Sequence, residues 1–195
     1  LLYGIFLLRE LSDRTRDELI GLGERLSVPI LHGHFQDLGL DSTRLSALEM
    51  MKTDDRFGNA RLDLEHSADR FRELDLQSNS LFIMEGFVGT TEDGTPTTLG
   101  RGGSDLSAAY VASFLQADVL EKWTDVDGMM TANPAVVPTA QVIRELSYNE
   151  AMELCHFGAK VVYPPTVATL ADVGIPLHVR KTDDPESKGT LVLAA

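Results

Sequence analysis

Residues 97–105 (Thr-Thr-Leu-Gly-Arg-Gly-Gly-Ser-Asp) hold three glycines within four positions, which limits the local fold to a tight turn. Glycine adopts positive φ readily and lets backbone N–H groups approach a ligand closely. An apolar run follows from 106 to 115, which predicts a largely buried helix that begins at Ser104 or Asp105. The polar positions of that helix are Ser107, Ser113 and Gln116.

This predicted turn is suited to holding an anion. The start of a helix offers free N–H groups and the positive end of the helix dipole. Arg101 lies within the turn, and its planar guanidinium can hold a carboxylate or phosphate with two N–H groups. The sequence therefore predicts an anion-binding loop, and a simple helix-capping turn with an exposed arginine is the alternative.

Short apolar runs alternate with helical patterns along the chain, which predicts a doubly wound α/β sheet. The predicted strands are 40–47, 80–87, 118–123, 175–179 and 189–192. The runs at 80–87 and 118–123 favour strands that are buried on both faces of a parallel sheet, with Trp123 in the core. Asp93-Gly94 predicts a hairpin turn just before the glycine-rich segment.

Several helix ends carry recognisable signals. The predicted helices are 1–11, 12–30, 63–76, 147–158 and 164–174. Ser12 is a suitable N-cap, and Ser147 with Glu150 forms a capping box. Within 12–30, Gly21, Gly23 and Pro29 predict a kink or very close packing.

Composition excludes some classes of function. The formal charge is −13 and the pI is about 4.7, which argues against a nucleic-acid-binding or anionic membrane surface. The single cysteine, Cys155, excludes an internal disulfide and fits a reducing cytoplasm. His32 and His34 are expected to be exposed loop residues, because no third metal ligand lies near them. The chain begins at Leu1, so we expect a fragment.

Three strings occur together and in order: Leu-Gly-Arg-Gly-Gly-Ser-Asp (99–105), Trp-Thr-Asp-Val-Asp-Gly (123–128) and Phe-Gly-Ala-Lys-Val (157–161). From about Gly4 to Val192 the sequence resembles the kinase domain of aspartokinases, which belong to the amino acid kinase superfamily. Gly23 to Ser27 matches a segment that recurs near the substrate in that family. The alternative for Glu24 and Arg25 is an exposed pair of residues on a helix.

The resemblance implies a three-layer α/β sandwich with a mostly parallel central sheet and the N-terminal part missing. Residues 1–195 would form a catalytic domain without its regulatory ACT domains. The strings at 123–128 and 147–154 look closest to bifunctional aspartokinase/homoserine dehydrogenases. The resemblance also implies a cytoplasmic homo-oligomer that assembles through regions outside this sequence, with no nucleic-acid or membrane partner.

The implied reaction transfers the γ-phosphoryl group of ATP, with Mg²⁺, to the side-chain carboxylate of L-aspartate. The product would be 4-phospho-L-aspartate, in the first step of lysine, threonine and methionine synthesis. The resemblance assigns catalytic roles to Asp105 and Lys160. It assigns aspartate binding to Phe87, Arg101, Gly102, Gly103 and Ser104. It assigns nucleotide binding to Thr124, Asp125, Met130, Lys160 and Val161, and it assigns no metal ligand from the protein.

Two positions depart from the family pattern. Met130 stands where many members carry tyrosine, and Ala135 stands where they carry a basic residue. The family's N-terminal lysine on a Gly-Gly loop is also not found in this sequence. Ala135 and the missing lysine favour the alternative of a catalytically inactive, kinase-like assembly or regulatory domain, whereas Arg101, Asp125 and Lys160 oppose it. A kinase for glutamate or acetylglutamate is disfavoured by the string at 100–105.

Overall fold

The computed structural model describes residues 2–76, 81–158 and 161–194, and the chain divides into two units, residues 1–107 and 108–195. The helices are α1 Leu2–Leu8, α2 Asp13–Ile20, α3 Leu22–Asp37, α4 Ala47–Met50, α5 Leu64–Arg72, α6 Gly103–Leu115, α7 Tyr148–His156 and α8 Pro164–Val173. The strands are β1 Ser42–Arg44, β2 Leu81–Ile83, β3 Val88–Thr90, β4 Pro96–Thr98, β5 Leu120–Thr124, β6 Glu145–Ser147, β7 Leu177–Lys181 and β8 Thr190–Leu193. The α/β class predicted from sequence is confirmed.

The first unit holds two small sheets. Strands β1 and β2 pair in parallel, and β3 and β4 form the antiparallel hairpin that Asp93-Gly94 predicts, with Gly94 at φ 84°. Strand β2 ends at Ile83, four residues before the predicted end, and Leu81 within it is 44% exposed, so the strand is shorter and less buried than predicted. Ser80, where the predicted strand begins, lies outside the described residues.

Helix α2 ends at Ile20 with Gly21 as its C-cap, and the predicted helix 12–30 breaks there. A β-carbon at Gly21 would lie 2.9 Å from Val88 Cγ1, so close packing accounts for the glycine. Pro29 lies inside α3 and does not end it. His32 and His34 also lie on α3 rather than in a loop, and His32 Nδ1 is 3.0 Å from Ser42 Oγ on β1.

The second unit holds a four-stranded sheet in the order β5-β7-β8-β6. The pairs β5–β7 and β6–β8 are parallel, whereas β7 and β8 run antiparallel, so this sheet is mixed. Its buried apolar residues form one cluster with those of α7 and α8, centred on Leu170, Leu177, Val179 and Val192. The predicted start of α8 at a Pro-Pro pair and its end at Gly174 (φ 73°) are confirmed.

Strand β5 differs from the buried strand that its sequence predicts. It lies at an edge of this sheet and its residues are alternately exposed, with Trp123 43% exposed. The Arg180 guanidinium lies 4.4 Å from the centre of the indole ring and donates a hydrogen bond to Glu121. Trp123 is therefore covered by a charged neighbour and is not part of the core.

No helix within the described residues is long and apolar enough to cross a lipid bilayer.

Candidate active site

The glycine-rich segment of the first unit folds into a tight turn at Gly100–Gly103, here called the arginine turn. Gly100 and Gly102 both have positive φ, 75° and 70°. The Gly103 N–H donates to the Gly100 carbonyl oxygen at 3.0 Å, and the Leu106 N–H donates to the Gly102 oxygen at 3.0 Å. Helix α6 therefore begins at Gly103, one residue earlier than predicted, and its first N–H groups lie within the turn.

Two of these glycines are required by their surroundings. A β-carbon at Gly100 would lie 2.7 Å from the Gly58 carbonyl oxygen. A β-carbon at Gly103 would lie 2.8 Å from Phe87 Cδ2. Both distances are too short for a real contact, so the arginine turn packs directly against the loop at Gly58 and the ring of Phe87.

Phe87 adopts a backbone conformation that is rare for a non-glycine residue, with φ 71°. The Val88 N–H donates to the Gly86 oxygen at 2.8 Å, which closes a three-residue γ-turn around Phe87. The Phe87 N–H donates to Ser107 Oγ at 3.1 Å, and that hydroxyl donates to the Ser104 oxygen at 3.0 Å. Backbone strain of this kind is typical of functional sites held by their surroundings.

Ser107 is one of the polar positions of α6, and the structure buries it. It is 1% exposed, because its hydroxyl joins the first turn of α6 to the Phe87 backbone. Ser107 therefore helps to place the aromatic ring beside the arginine turn, which the amino-acid pattern of the helix did not indicate.

A cavity of about 380 Å³ lies over the arginine turn, a size found in small-molecule sites. It is lined by Glu24, Phe87, Gly100, Arg101, Gly102, Gly103, Ser104 and Asp105. The structure thus brings together every residue predicted for aspartate binding, and also Asp105. Glu24, which the sequence left open between a site and an exposed pair, contributes a carboxylate from the first turn of α3.

These side chains combine opposite charges in one cavity. Arg101 is exposed and lines the cavity, where its planar guanidinium offers a pair of N–H donors for a carboxylate, and Glu24 offers an acceptor for an ammonium group. The N–H groups at the start of α6 add further donors for negative charge. Such an arrangement can bind an amino acid that carries both charges.

The predicted nucleotide-binding pair lies in the second unit, at the carboxyl end of β5. Thr124 pairs in register with Lys181 of β7, and Asp125 follows directly. The Thr124 hydroxyl donates to Asp125 Oδ1 at 3.2 Å. The carboxyl ends of parallel strands are where open α/β sheets bind ligands.

Lys181 was not singled out from the sequence, yet it lies at this same edge. Its Nζ donates to Asp127 Oδ1 at 2.9 Å. This hydrogen bond and the charge of Asp127 raise the pKa of Lys181 above its ordinary value. The ion pair joins the end of β7 to the loop after β5, a contact that only the strand pairing could reveal.

Of the three remaining residues predicted to bind the nucleotide, the structure describes two. Met130 is half-buried and forms an isolated antiparallel bridge with Val142. Val161 is half-buried and packs against the apolar cluster of the second unit. Lys160, which was assigned both a catalytic and a nucleotide-binding role, lies outside the described residues.

Residues 7–181 match the model of the amino acid kinase family, and the chain belongs to that family. It is similar to lysine-sensitive aspartokinase 3 of Escherichia coli K12, with 38% identity over 93% of this chain and 41% of the relative. It is also similar to the bifunctional aspartokinase/homoserine dehydrogenase of Buchnera aphidicola, with 35% identity over 98% of this chain and 24% of the relative.

A solved structure of E. coli aspartokinase III in complex with aspartate and ADP matches the fold with a TM-score of 0.89. The identity is 37%, over 94% of this chain and 41% of that one. The resemblance to aspartokinases is therefore confirmed in both sequence and structure. The chain spans less than half of the length of these relatives.

Proposed function

We propose that this chain forms part of an aspartate kinase that transfers the ATP γ-phosphoryl group to the side-chain carboxylate of L-aspartate. The observation that carries the proposal is the cavity in which Arg101 and Glu24 accompany the start of α6. The similar E. coli structure contains aspartate and ADP, which supports the same pair of ligands here. The product would be 4-phospho-L-aspartate, the first intermediate of the lysine, threonine and methionine pathway.

The residues of the arginine turn would bind the amino acid. Arg101 would hold a carboxylate of aspartate, assisted by Ser104 and the N–H groups of Gly102 and Gly103. Glu24 would bind the ammonium group, and the Phe87 ring would form the apolar wall. Attack by a carboxylate on a phosphoryl group opposes two anions, so catalysis depends on positioning and on cationic or N–H groups rather than on a strong base.

The nucleotide would bind at the end of β5. Thr124 and Asp125 would contact the nucleoside, Met130 and Val161 would lie beside it, and Lys160 would neutralise phosphate charge. The catalytic role of Asp105 is proposed from the resemblance alone. Mg²⁺ would arrive on the ATP phosphates and keep several waters, as it commonly does in kinases.

A coupled test separates this proposal from an inactive, kinase-like domain. The full-length protein that carries this chain would be incubated with L-aspartate, ATP, Mg²⁺ and hydroxylamine, which converts an acyl phosphate to a hydroxamate. We expect aspartyl hydroxamate in proportion to ADP. ADP without hydroxamate, or neither product at saturating ATP, would contradict the proposal.

We further propose a cytoplasmic protein that assembles as a homo-oligomer, as the resemblance implies. The lone Cys155 supports a reducing compartment. Sedimentation of the full-length protein would test the oligomeric state, and a monomer at micromolar concentration would contradict it.

A further inference from the structure

Asp17 is a fully buried carboxylate on α2 that the proposed chemistry does not use. It is 0% exposed. Its Oδ2 accepts hydrogen bonds from the Gly58 N–H and the Thr98 N–H, both at 2.8 Å, and its Oδ1 accepts from the Thr98 hydroxyl at 2.9 Å. All three of these donors are uncharged.

Both partners of Asp17 lie against the arginine turn. Thr98 is the last residue of β4, two positions before Gly100. Gly58 places its carbonyl oxygen where a β-carbon of Gly100 would be 2.7 Å away. Gly58, Thr98, Gly100 and Arg101 also line a second cavity of about 290 Å³ together with Arg16, Ile20 and Phe87. One carboxylate therefore fixes the two backbone segments that meet at Gly100.

We propose that Asp17 is a positioning residue that fixes the position and orientation of the arginine turn. It acts through the N–H groups of Gly58 and Thr98 and does not touch the ligand. The inference rests on the proposed function, in which Arg101 holds a carboxylate of aspartate. Displacement of a binding group by about 1 Å is enough to impair its function strongly. Since Arg101 lies in the turn that Asp17 holds, loss of this carboxylate should weaken aspartate binding more than ATP binding.

Asparagine is the conservative replacement that separates hydrogen-bond geometry from charge. Its amide oxygen can take the place of Oδ2 and accept from both N–H groups, while its Nδ2 donates to the Thr98 hydroxyl oxygen. Alanine leaves two N–H groups and a hydroxyl without an acceptor in a buried place. Asp17→Asn should therefore preserve the turn, and Asp17→Ala should release it.

The test uses the full-length protein and measures KM for aspartate and for ATP with the hydroxamate assay. We expect Asp17→Ala to raise the aspartate KM about tenfold or more and the ATP KM less than about twofold. Asp17→Asn should keep both within about threefold. An equal rise of both KM values in Asp17→Ala, or an aspartate KM in Asp17→Asn as high as in Asp17→Ala, would overturn the inference.

Phe71→Leu provides the control for lost stability, because Phe71 is 1% exposed on α5 and does not line either cavity. It should lower the unfolding temperature and leave both KM values unchanged. If Asp17→Ala does not accumulate, Thr98→Val removes only the hydroxyl donor. We then expect a smaller rise of the aspartate KM, and an unchanged value would overturn the inference.

Hydrogen exchange gives a readout that does not depend on kinase activity. Peptides covering 56–60 and 96–102 should exchange faster in Asp17→Ala and at the wild-type rate in Asp17→Asn. Unchanged protection in Asp17→Ala would overturn the positioning role. If the wild-type protein forms no hydroxamate but shows this protection pattern, the proposed function fails while the role of Asp17 in holding the turn stands.

Discussion

The interiors of the two units differ in the share of buried residues that are polar. Of the polar residues that the structure describes as buried, only Thr166 and Thr190 lie in the second unit, and the rest lie in the first. The buried polar residues of the first unit are Asp17, Thr53, Ser67, Glu85, Thr90, Thr91, Thr95, Thr97, Thr98 and Ser107. The second unit instead packs one apolar cluster between its sheet and helices.

This difference shows two ways in which a fold can support a binding site: apolar packing and buried hydrogen bonds. Apolar packing is non-directional and adds up over area, so it stabilises the second unit without orienting a polar group. Buried hydrogen bonds fix direction, and a single missing partner leaves a costly unsatisfied group. The arginine turn, whose guanidinium must be aimed, lies in the unit that is rich in such bonds.

The largest expected effect is on the stability of the second unit. Leu177 is 0% exposed on β7, between β5 and β8. Leu177→Ala should lower the free energy of unfolding by about 2–5 kcal/mol, because it removes buried hydrocarbon and leaves a cavity. Urea unfolding followed by fluorescence measures this. A loss below about 1 kcal/mol would show that the apolar cluster does not dominate the stability of this unit.

The next effect concerns ligand binding in the first unit. Arg101→Ala should raise the aspartate KM far more than the ATP KM. The loss of a charged hydrogen bond should cost about 2–3 kcal/mol of transition-state stabilisation, measured from kcat/KM for aspartate. Steady-state hydroxamate kinetics measure both constants. Arg72→Ala, which removes an exposed arginine paired with Asp69 on α5, is the matched control. An unchanged aspartate KM in Arg101→Ala would refute the assignment of Arg101.

The buried hydroxyl network of the first unit can be tested with a double-mutant cycle. Thr53 Oγ1 and Thr97 Oγ1 are 2.7 Å apart, and both residues are buried. Thr97→Val should cost about 1–2 kcal/mol because it leaves the Thr53 hydroxyl with one partner fewer. Thr53→Val/Thr97→Val should cost less than the sum of the single changes. Strict additivity would mean that this hydrogen bond does not stabilise the hairpin.

Local signals predicted much of the fold, because they act within one turn of the chain. Ser12, the Ser147–Glu150 box and Gly174 all cap helices as predicted. The predicted residues around Arg101 also meet in one cavity, since most are neighbours in sequence. Burial of strands was predicted less well, because the apolar run of β5 does not reveal that the strand lies at a sheet edge.

Long-range polar contacts were not predictable from the sequence. Asp17 bonds to Thr98 across 81 positions, and an aspartate in a helix is ordinarily exposed. Nothing in the local pattern around Asp17 distinguishes it from Asp13, which is exposed on the same helix. The pairing of Lys181 with Asp127 likewise follows from the order of strands rather than from spacing. The site therefore depends on residues that only the folded chain identifies.

The smallest expected effect is a pH dependence of the α7 cap, which contrasts an exposed local contact with the buried contacts above. Glu150 accepts hydrogen bonds from Ser147 N at 2.8 Å and Ser147 Oγ at 2.7 Å, and these lower its pKa below the ordinary value of 4.5. A carboxyl whose folded pKa is depressed adds stability above its unfolded pKa and loses it as pH falls through the folded pKa. The unfolding temperature of the wild-type protein should therefore decline more steeply than that of Glu150→Gln between about pH 5 and pH 3. Parallel declines would show that the charge of Glu150 does not contribute, and that the cap depends on the Ser147 hydroxyl alone.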